Sequence, residues 1–318
     1  MLKVVIVGYG EMFTNLIAAA LDANCKIVGV LRKDVVKYPK WIRKIKDTFN
    51  PSIEYNYIKS YNIPEIESKS VNSEDFRKTL IHLNPDIVLV GSWGEKFEKE
   101  TFNIPKTATI NAHPSLLPKY RGPNPYFWVI KNMEQTTGVT FHLMDEGFDT
   151  GAILAQEEIK VFPSDTGESL KQRVVLTARG VACELLKDLD EDIVIPLQQR
   201  EEKASYYSYP EGFELDFKKS AEENFALIRA SYPWNKTYFY HDITPLTPIV
   251  NKISIEKNKT AFTEFGTVVS VDANAKTIGV LCGDGQVLKM EISLYKKYDR
   301  FFTKNYIARD IKIGNVLF

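Results

Sequence analysis

Four short apolar runs, residues 2–7, 26–31, 87–90 and 107–110, constrain this chain more than any other feature. The first three are rich in Val, Ile or Leu, the fourth is Thr-Ala-Thr-Ile, and all are too short for a buried helix. An unbroken apolar run of that length reads as a strand covered on both faces. Two of them leave through Gly-rich turns, Gly8-Tyr9-Gly10 and Gly91-Ser92-Trp93-Gly94. Residues 12–21 between the first two runs read as a helix. Strand, turn, helix and strand open an α/β sheet, and ligands of such sheets sit at the carboxyl ends of the strands. The dinucleotide fingerprint needs a third glycine where this chain has Phe13. The glycines are therefore read as turn geometry rather than as an NAD cradle.

Further along, residues 73–83 read as a helix capped by Ser73, and residues 54–70 are polar, rich in Tyr and without an assignment. Residues 32–46 are rich in Lys and Arg, with Trp41, Ile42 and Ile45 between them. They read either as an amphipathic helix with a solvated basic face or as a phosphate-contacting surface. Residues 124–133 read as a helix whose Tyr126, Phe127 and Trp128 pack. Residues 152–161 read as a strand, and residues 165–189 as a long helix with Leu170, Val174, Leu176, Val181 and Leu185 along one side. Pro196 and the polar run Gln198-Gln199-Arg200-Glu201-Glu202-Lys203 mark residues 191–206 as a linker. Beyond it comes a helix within 217–234, stopped by Pro233. Strands then follow at 266–271, 277–282 and 287–292, the last two joined through Gly283-Asp284-Gly285. The expected fold is α/β: a Rossmann-like parallel-sheet domain over 1–190, then a small β-barrel domain over 207–318.

Charge narrows the partners. Lys and Arg together number 41, as do Asp and Glu, for a formal net charge of zero. That gives no global pull toward nucleic acid or an anionic membrane. No apolar run approaches the roughly 20 residues needed to cross a bilayer, so no membrane association is expected. Cys25, Cys183 and Cys282 are scattered and odd in number, as suits reduced thiols in a cytoplasmic protein. Met1-Leu2-Lys3 runs straight into the first strand, so no signal peptide is expected. With four His and no metal-ligand spacing, no metal site is expected.

The chemistry concentrates between residues 111 and 151. Asn111 and His113 are two apart at the end of an apolar run, so an amide and an imidazole share one face of a strand. Pro114 and Pro118 stiffen the loop that follows, and Gly122 frees its backbone. Residues 138–144 alternate Val139, Phe141 and Leu143 against Thr140, His142 and Met144, as a strand does. Asp149 then falls between Gly147 and Gly151, where it can approach another loop closely and pair with His113. Asn, His and Asp together suit acyl transfer to an amine. The amide and a protonated imidazole can donate to a developing oxyanion. The carboxylate can orient the imidazole or accept the amine's proton through water. No activated Ser or Cys is evident, so direct attack by the amine is the simpler course.

The run Asn111-x-His113-Pro114-Ser115-Leu116-Leu117-Pro118-x-Tyr120-Arg121-Gly122, with Thr-Gly-Val-Thr at 137–140 and Phe-Asp-Thr-Gly at 148–151, resembles the folate-dependent formyltransferases. These include the methionyl-tRNA, glycinamide ribonucleotide and nucleotide-sugar formyltransferases. The resemblance implies Asn111, His113 and Asp149 as catalytic residues, and formyl transfer from N10-formyltetrahydrofolate to a primary amine through a tetrahedral intermediate. It implies folate contacts from Ser115, Leu116, Leu117 and Pro118, and from Ser92, Trp93 and Gly94 after the 87–90 strand. Asp145, Glu146 and Gly147 join them from the loop before Asp149. Trp93 is either a cover for the pterin or a core residue. Ile-Arg-Ala-x-x-Pro-Trp at 228–234 is similar to the OB-like C-terminal domain of methionyl-tRNA formyltransferases. The acceptor implied is methionyl-tRNA or, alternatively, a nucleotide-linked 4-amino sugar. The Pro-Asp-x-Pro-x-Gly-Arg-Gly loop that methionyl-tRNA formyltransferases usually carry near residues 32–46 is missing. Rival readings are a formyltetrahydrofolate hydrolase, with water in place of the amine, and a non-catalytic folate or RNA binding module.

Overall fold

The computed structural model describes residues 1–296 and 301–318. The chain divides into two compact units. The first comprises Met1–Pro125, Thr136–Lys160 and Lys171–Ser208, and the second comprises Tyr126–Gln135, Val161–Leu170 and Tyr209–Phe318.

The first unit begins with β1 (Lys3–Gly8), α1 (Gly10–Asp22), β2 (Lys26–Arg32), α2 (Lys33–Lys37), α3 (Lys40–Phe49) and α4 (Ile53–Ser60). It continues through α5 (Glu74–Leu83), β3 (Ile87–Gly91), α6 (Lys99–Phe102) and β4 (Ala108–His113). After α7 (Pro125–Lys131), most of which lies in the second unit, come β5 (Thr136–Leu143), β6 (Ile153–Lys160) and α8 (Gly167–Asp190). Ser73 caps α5 by accepting from the Phe76 N–H, as its sequence position predicts. Val5, Val7, Val88 and Val90 bury one face of the sheet against Leu31, Phe76 and Leu80. Each such side chain contributes about 1.5–3 kcal/mol when fully buried.

The strand order is β2-β1-β3-β4-β5-β6. The first four strands are parallel, but β5 runs antiparallel to β4, and β6 antiparallel to β5. The all-parallel expectation is thus corrected to a mixed sheet. Only residues 144–152 separate β5 from β6, and a parallel return needs a crossover of about a dozen residues or more.

The glycine turn after β1 serves packing. A Cβ on Gly8 would stand 2.3 Å from the Gly91 carbonyl oxygen and 3.2 Å from Phe13. At the N-terminus of α1, where a dinucleotide phosphate would bind, the Glu54 carboxylate accepts from Gly10 N at 2.7 Å.

The basic stretch 32–46 does not form one helix. Arg32 ends β2, almost fully buried and ion-paired to Glu65, Asp47 and Asp34. Arg43 pairs with Glu67 and Lys46 with Asp34. Trp41 and Ile45 on α3 are 67% and 52% exposed. The hydrophobic side chains thus face solvent, while both arginines are buried.

Residues 191–206 belong to the first unit. Leu197 and Ile153 exchange two backbone hydrogen bonds of 2.8 Å, tying this segment to β6.

The second unit contains α9 (Ala221–Ser231), β7 (Phe239–His241), β8 (Thr244–Lys257), β9 (Val268–Asp272), β10 (Thr277–Leu281), β11 (Gln286–Leu294) and α10 (Thr303–Asp310). Ser220 and Glu223 form a reciprocal capping box at the start of α9. The strands make an antiparallel sheet in the order β7-β8-β11-β10-β9. Phe217, Phe239, Leu246, Ile278, Leu288 and Met290 fill its core. Strands β7 and β8 were not expected from the sequence. Pro245 and Pro248 break the strand signal, and the register against β11 shifts near Pro248. Among the described residues no helix is long and apolar enough to cross a membrane.

Candidate active site

The site lies in the first unit, at the carboxyl end of β4. Asn111 and His113 share a face of that strand. The antiparallel register sets His142 of β5 opposite Asn111. The loop between β5 and β6 returns Asp149 to the same place.

The hydrogen bonds fix the roles of the ring nitrogens. His142 Nδ1 lies 2.8 Å from the Leu143 carbonyl oxygen, which can only accept, so Nδ1 carries the proton. Its Nε2 lies 3.1 Å from Asn111 Nδ2 and 3.5 Å from Asp149 Oδ1. The same Nδ2 donates to Asp149 Oδ1 at 3.3 Å. Together these contacts orient the Asn111 amide. His113 Nε2 donates to the Tyr120 carbonyl oxygen at 2.8 Å, leaving Nδ1 facing Asp149 Oδ1 at 3.4 Å. Asp149 Oδ2 accepts from Gly122 N at 2.9 Å. Gly122 has φ +93°, and a Cβ there would meet the Tyr207 carbonyl oxygen at 2.3 Å, so the close approach depends on glycine.

The electrostatics follow from burial and neighbours. Burial pushes the His113 imidazole below its ordinary range, outweighing the pull of Asp149 and the Tyr120 carbonyl in the other direction. Burial alone would raise the Asp149 carboxyl. His113, His142 and the Gly122 N–H overcome it and hold that carboxyl well below the usual carboxylate range. The resting site therefore pairs a neutral His113 with an ionised Asp149. Burial pushes the Cys25 thiol up to about 11 and the Cys282 thiol up to about 12, which disfavours both as nucleophiles.

A cleft opens beside these groups. Asn111, His142 and Asp149 line it together with Trp93, Gly94, Asp145 and Gly147, and Phe97, Met144 and Phe148 add apolar wall. The Trp93 indole N–H is buried without a partner. An unmatched buried donor costs about 1–3 kcal/mol, and the cleft wall that Trp93 shares is part polar and part apolar. Trp93 also packs on the core cluster of the sheet, as its core reading expects.

Other predicted contacts lie elsewhere. Ser115 is buried, with Oγ donating to the Lys119 carbonyl, and Leu117 is buried with its N–H on Thr140 Oγ1. Neither these nor Leu116, Pro118 or Ser92 line the cleft. Glu146 is exposed and paired with Lys99 at 2.7 Å. Several contributors went unread in the sequence, among them His142, Phe97, Met144, Phe148 and the Gly122 N–H. His142 was visible in the alternation of β5, but only the register with β4 brings it to Asn111.

Residues 2–184 match the family described as Formyl transferase, and residues 208–299 match Formyl transferase, C-terminal domain. The chain belongs to the formyl transferase family, and it is a formyltransferase. A methionyl-tRNA formyltransferase of Clostridioides difficile is 30% identical over 319 residues, covering 99% of this chain and 100% of its own. One from Clostridium novyi is 32% identical over 259 residues, covering 80% and 82%. Among solved structures, the N-formyltransferase of Helicobacter canadensis in complex with folinic acid and dTDP-3-aminofucose aligns with a TM-score of 0.67 at 20% identity. It covers 92% of this chain and 100% of its own. HypX of Aquifex aeolicus in complex with tetrahydrofolic acid aligns with a TM-score of 0.61 at 14% identity, covering 98% of this chain and 48% of its own. At these identities the structural likeness bears on the fold.

Proposed function

We propose that this enzyme transfers the formyl group of N10-formyltetrahydrofolate to a primary amine, with the amino group of methionyl-tRNA as acceptor. The observation that carries the reading is the joint placement of Asn111, His113 and Asp149: Asn111 and Asp149, with His142, line a cleft, and the buried His113 lies behind Asp149. Trp93, Gly94, Asp145 and Gly147 would hold the pterin end of the donor. When bound, the donor supplies an electrophilic formyl carbon and the oxygen on which negative charge develops.

His113 Nδ1 is the working atom, because Nε2 is committed to Tyr120. Neutral at rest, it takes the proton that the attacking amine releases. Asp149, held so far below the usual carboxylate range, is too weak a base for that task. It stabilises the imidazolium that forms. The new Nδ1–H and the Asn111 amide then donate to the charged oxygen. The bond from the formyl carbon to N10 breaks as the carbonyl re-forms, and His113 returns its proton to N10, releasing tetrahydrofolate and the formylated amine. His142 keeps the amide turned the right way.

Methionyl-tRNA is the acceptor favoured by the full-length likeness to methionyl-tRNA formyltransferases. One observation favours a nucleotide-linked amino sugar instead. Where a cationic tRNA contact is expected, Arg32, Arg43 and Lys46 are neutralised by acidic partners. The same reading makes the enzyme cytoplasmic. Residues 1–190 form its catalytic domain and 207–318 an OB-like domain, joined through 191–206. A transfer assay with methionyl-tRNA and a dTDP-linked amino sugar, run across a salt series, tests the acceptor. Turnover on methionyl-tRNA that weakens steeply with salt is expected, through counterion release. Turnover on the sugar alone, nearly salt-independent, would overturn that choice.

A further inference from the structure

Residues 197–207 carry no motif and read as a linker, yet they touch both loops of the site. Gln199 is the common point. Its Nε2 donates to the backbone carbonyls of Asp149 and Gly151, each at 2.8 Å. Its Oε1 accepts from Arg121 Nε at 3.2 Å and from Arg121 Nη2 at 2.8 Å. Arg121 is buried and grips Glu201 through Nη1 at 2.9 Å and Nη2 at 2.6 Å. Its backbone N–H donates to the Ser205 carbonyl at 2.9 Å, and its carbonyl accepts from Tyr207 N at 3.0 Å. Arg121 immediately precedes Gly122, the donor to the Asp149 carboxylate, and follows Tyr120, whose carbonyl anchors His113. One side-chain amide thus joins the loop that holds His113 to the loop that holds Asp149.

The join falls where the backbone needs holding. Asp149 has φ +57°, in the left-handed region that few residues with a side chain adopt. Left to relax, it would swing its carboxylate away from His113 Nδ1. Two hydrogen bonds from Gln199, on either side of Thr150, keep the turn in place.

Resting on the assignment of Asn111, His113 and Asp149 above, we propose that Gln199 is a positioning residue for formyl transfer: it locks the left-handed turn at Asp149 and, through Arg121, fixes the distance between the carboxylate and His113. It does not line the cleft. A linker residue would be free to change; Gln199 is not.

The test is Gln199→Met, which keeps the length and loses both donors, with Gln199→Glu as a second variant that places a carboxylate against two carbonyls. Gln199 is half-buried between exposed neighbours, so both variants are expected to fold. Two readouts apply. The first is kcat with N10-formyltetrahydrofolate and either methionyl-tRNA or a dTDP-linked amino sugar, whichever the wild type formylates. A fall of about 10- to 100-fold is expected, since a misplacement near 1 Å costs on that order. The second needs no acceptor: the His113 imidazole is titrated by NMR on histidine-labelled protein. Asp149 pulls the His113 pKa up and His142 pushes it down. Displacing the carboxylate should move the His113 titration to lower pH than in the wild type, a change that mere loss of stability would not produce. An unmoved His113 titration, with kcat within about threefold of wild type, overturns the proposal. A His113→Ala control separates the two levels. If it loses turnover while Gln199→Met keeps it, only this inference fails; if it keeps turnover, the underlying mechanism fails as well.

Discussion

The loops at 111–122 and 145–151 and the segment at 197–207 make opposite impressions in the sequence and do adjoining work in the fold. The first two are dense in Asn, His, Asp, Gly and Pro at spacings that suggest chemistry. The third is a polar run after Pro196 that suggests nothing. In the structure the proposed reactive groups are held by hydrogen bonds from both. The motif loops supply Asn111 Nδ2, His113 Nδ1 and the Asp149 carboxylate. The unmarked segment supplies the amide that holds the Asp149 turn. Reactive atoms are encoded locally, because their chemistry restricts which residues will serve. Their placement is encoded at a distance, where a hydrogen bond can come from any element of suitable reach.

The comparison can be broken at its strongest point first. Asp149→Asn keeps the shape of the site and removes its charge. We expect kcat to fall by about a thousandfold, as when a preorganised charge facing a developing one is lost. The His113 imidazole, already pushed down by burial, should titrate lower still without its carboxylate. A steady-state assay beside the NMR titration checks both, and an unchanged His113 titration would separate Asp149 from His113. Gln199→Met should fall between this and the wild type, as argued above. If it equalled Asp149→Asn, the unmarked segment would matter as much as the motif.

The smallest effect is on stability against pH. The folded state keeps His113 neutral below its ordinary pKa of about 6.5, while the unfolded chain binds a proton there. Stability should therefore be complete above about pH 6.5 and decline as the pH falls toward the lower folded value. Asp149 is depressed as well, but its contribution is lost only below about pH 4, the usual carboxylate range. Between pH 7.5 and 5.5 only His113 of this pair contributes. His113→Gln should lose less Tm than the wild type over that interval. An equal loss in thermal melts at the two pH values would mean that His113 is not the buried neutral base described here.

How much was legible varies with the kind of information. The four apolar runs became β1 to β4 because a strand buried on both faces has few alternatives. The directions of β5 and β6 were not legible from alternation, which is the same for parallel and antiparallel strands; the short connection at 144–152 held that information. Strand β8 was hidden by Pro245 and Pro248. Trp41 and Ile45 on α3 proved exposed, while Arg32 at the end of β2 and Arg43 on α3 proved buried, because Asp34, Asp47, Glu65 and Glu67 take up both guanidinium groups. Within the site, Asn111, His113 and Asp149 were readable from spacing. His142 needed the register, and Gln199 needed the fold.

The central claim is that His113 Nδ1 handles the proton of the attacking amine and then supports the charged oxygen. The most direct measurement is single-turnover formyl transfer from N10-formyltetrahydrofolate by wild type and His113→Ala, with folded state and donor binding checked on both. The account predicts donor binding within a few-fold of wild type and a rate lower by about a hundredfold to ten-thousandfold, the range of general acid–base catalysis. Near-wild-type transfer in His113→Ala would contradict it.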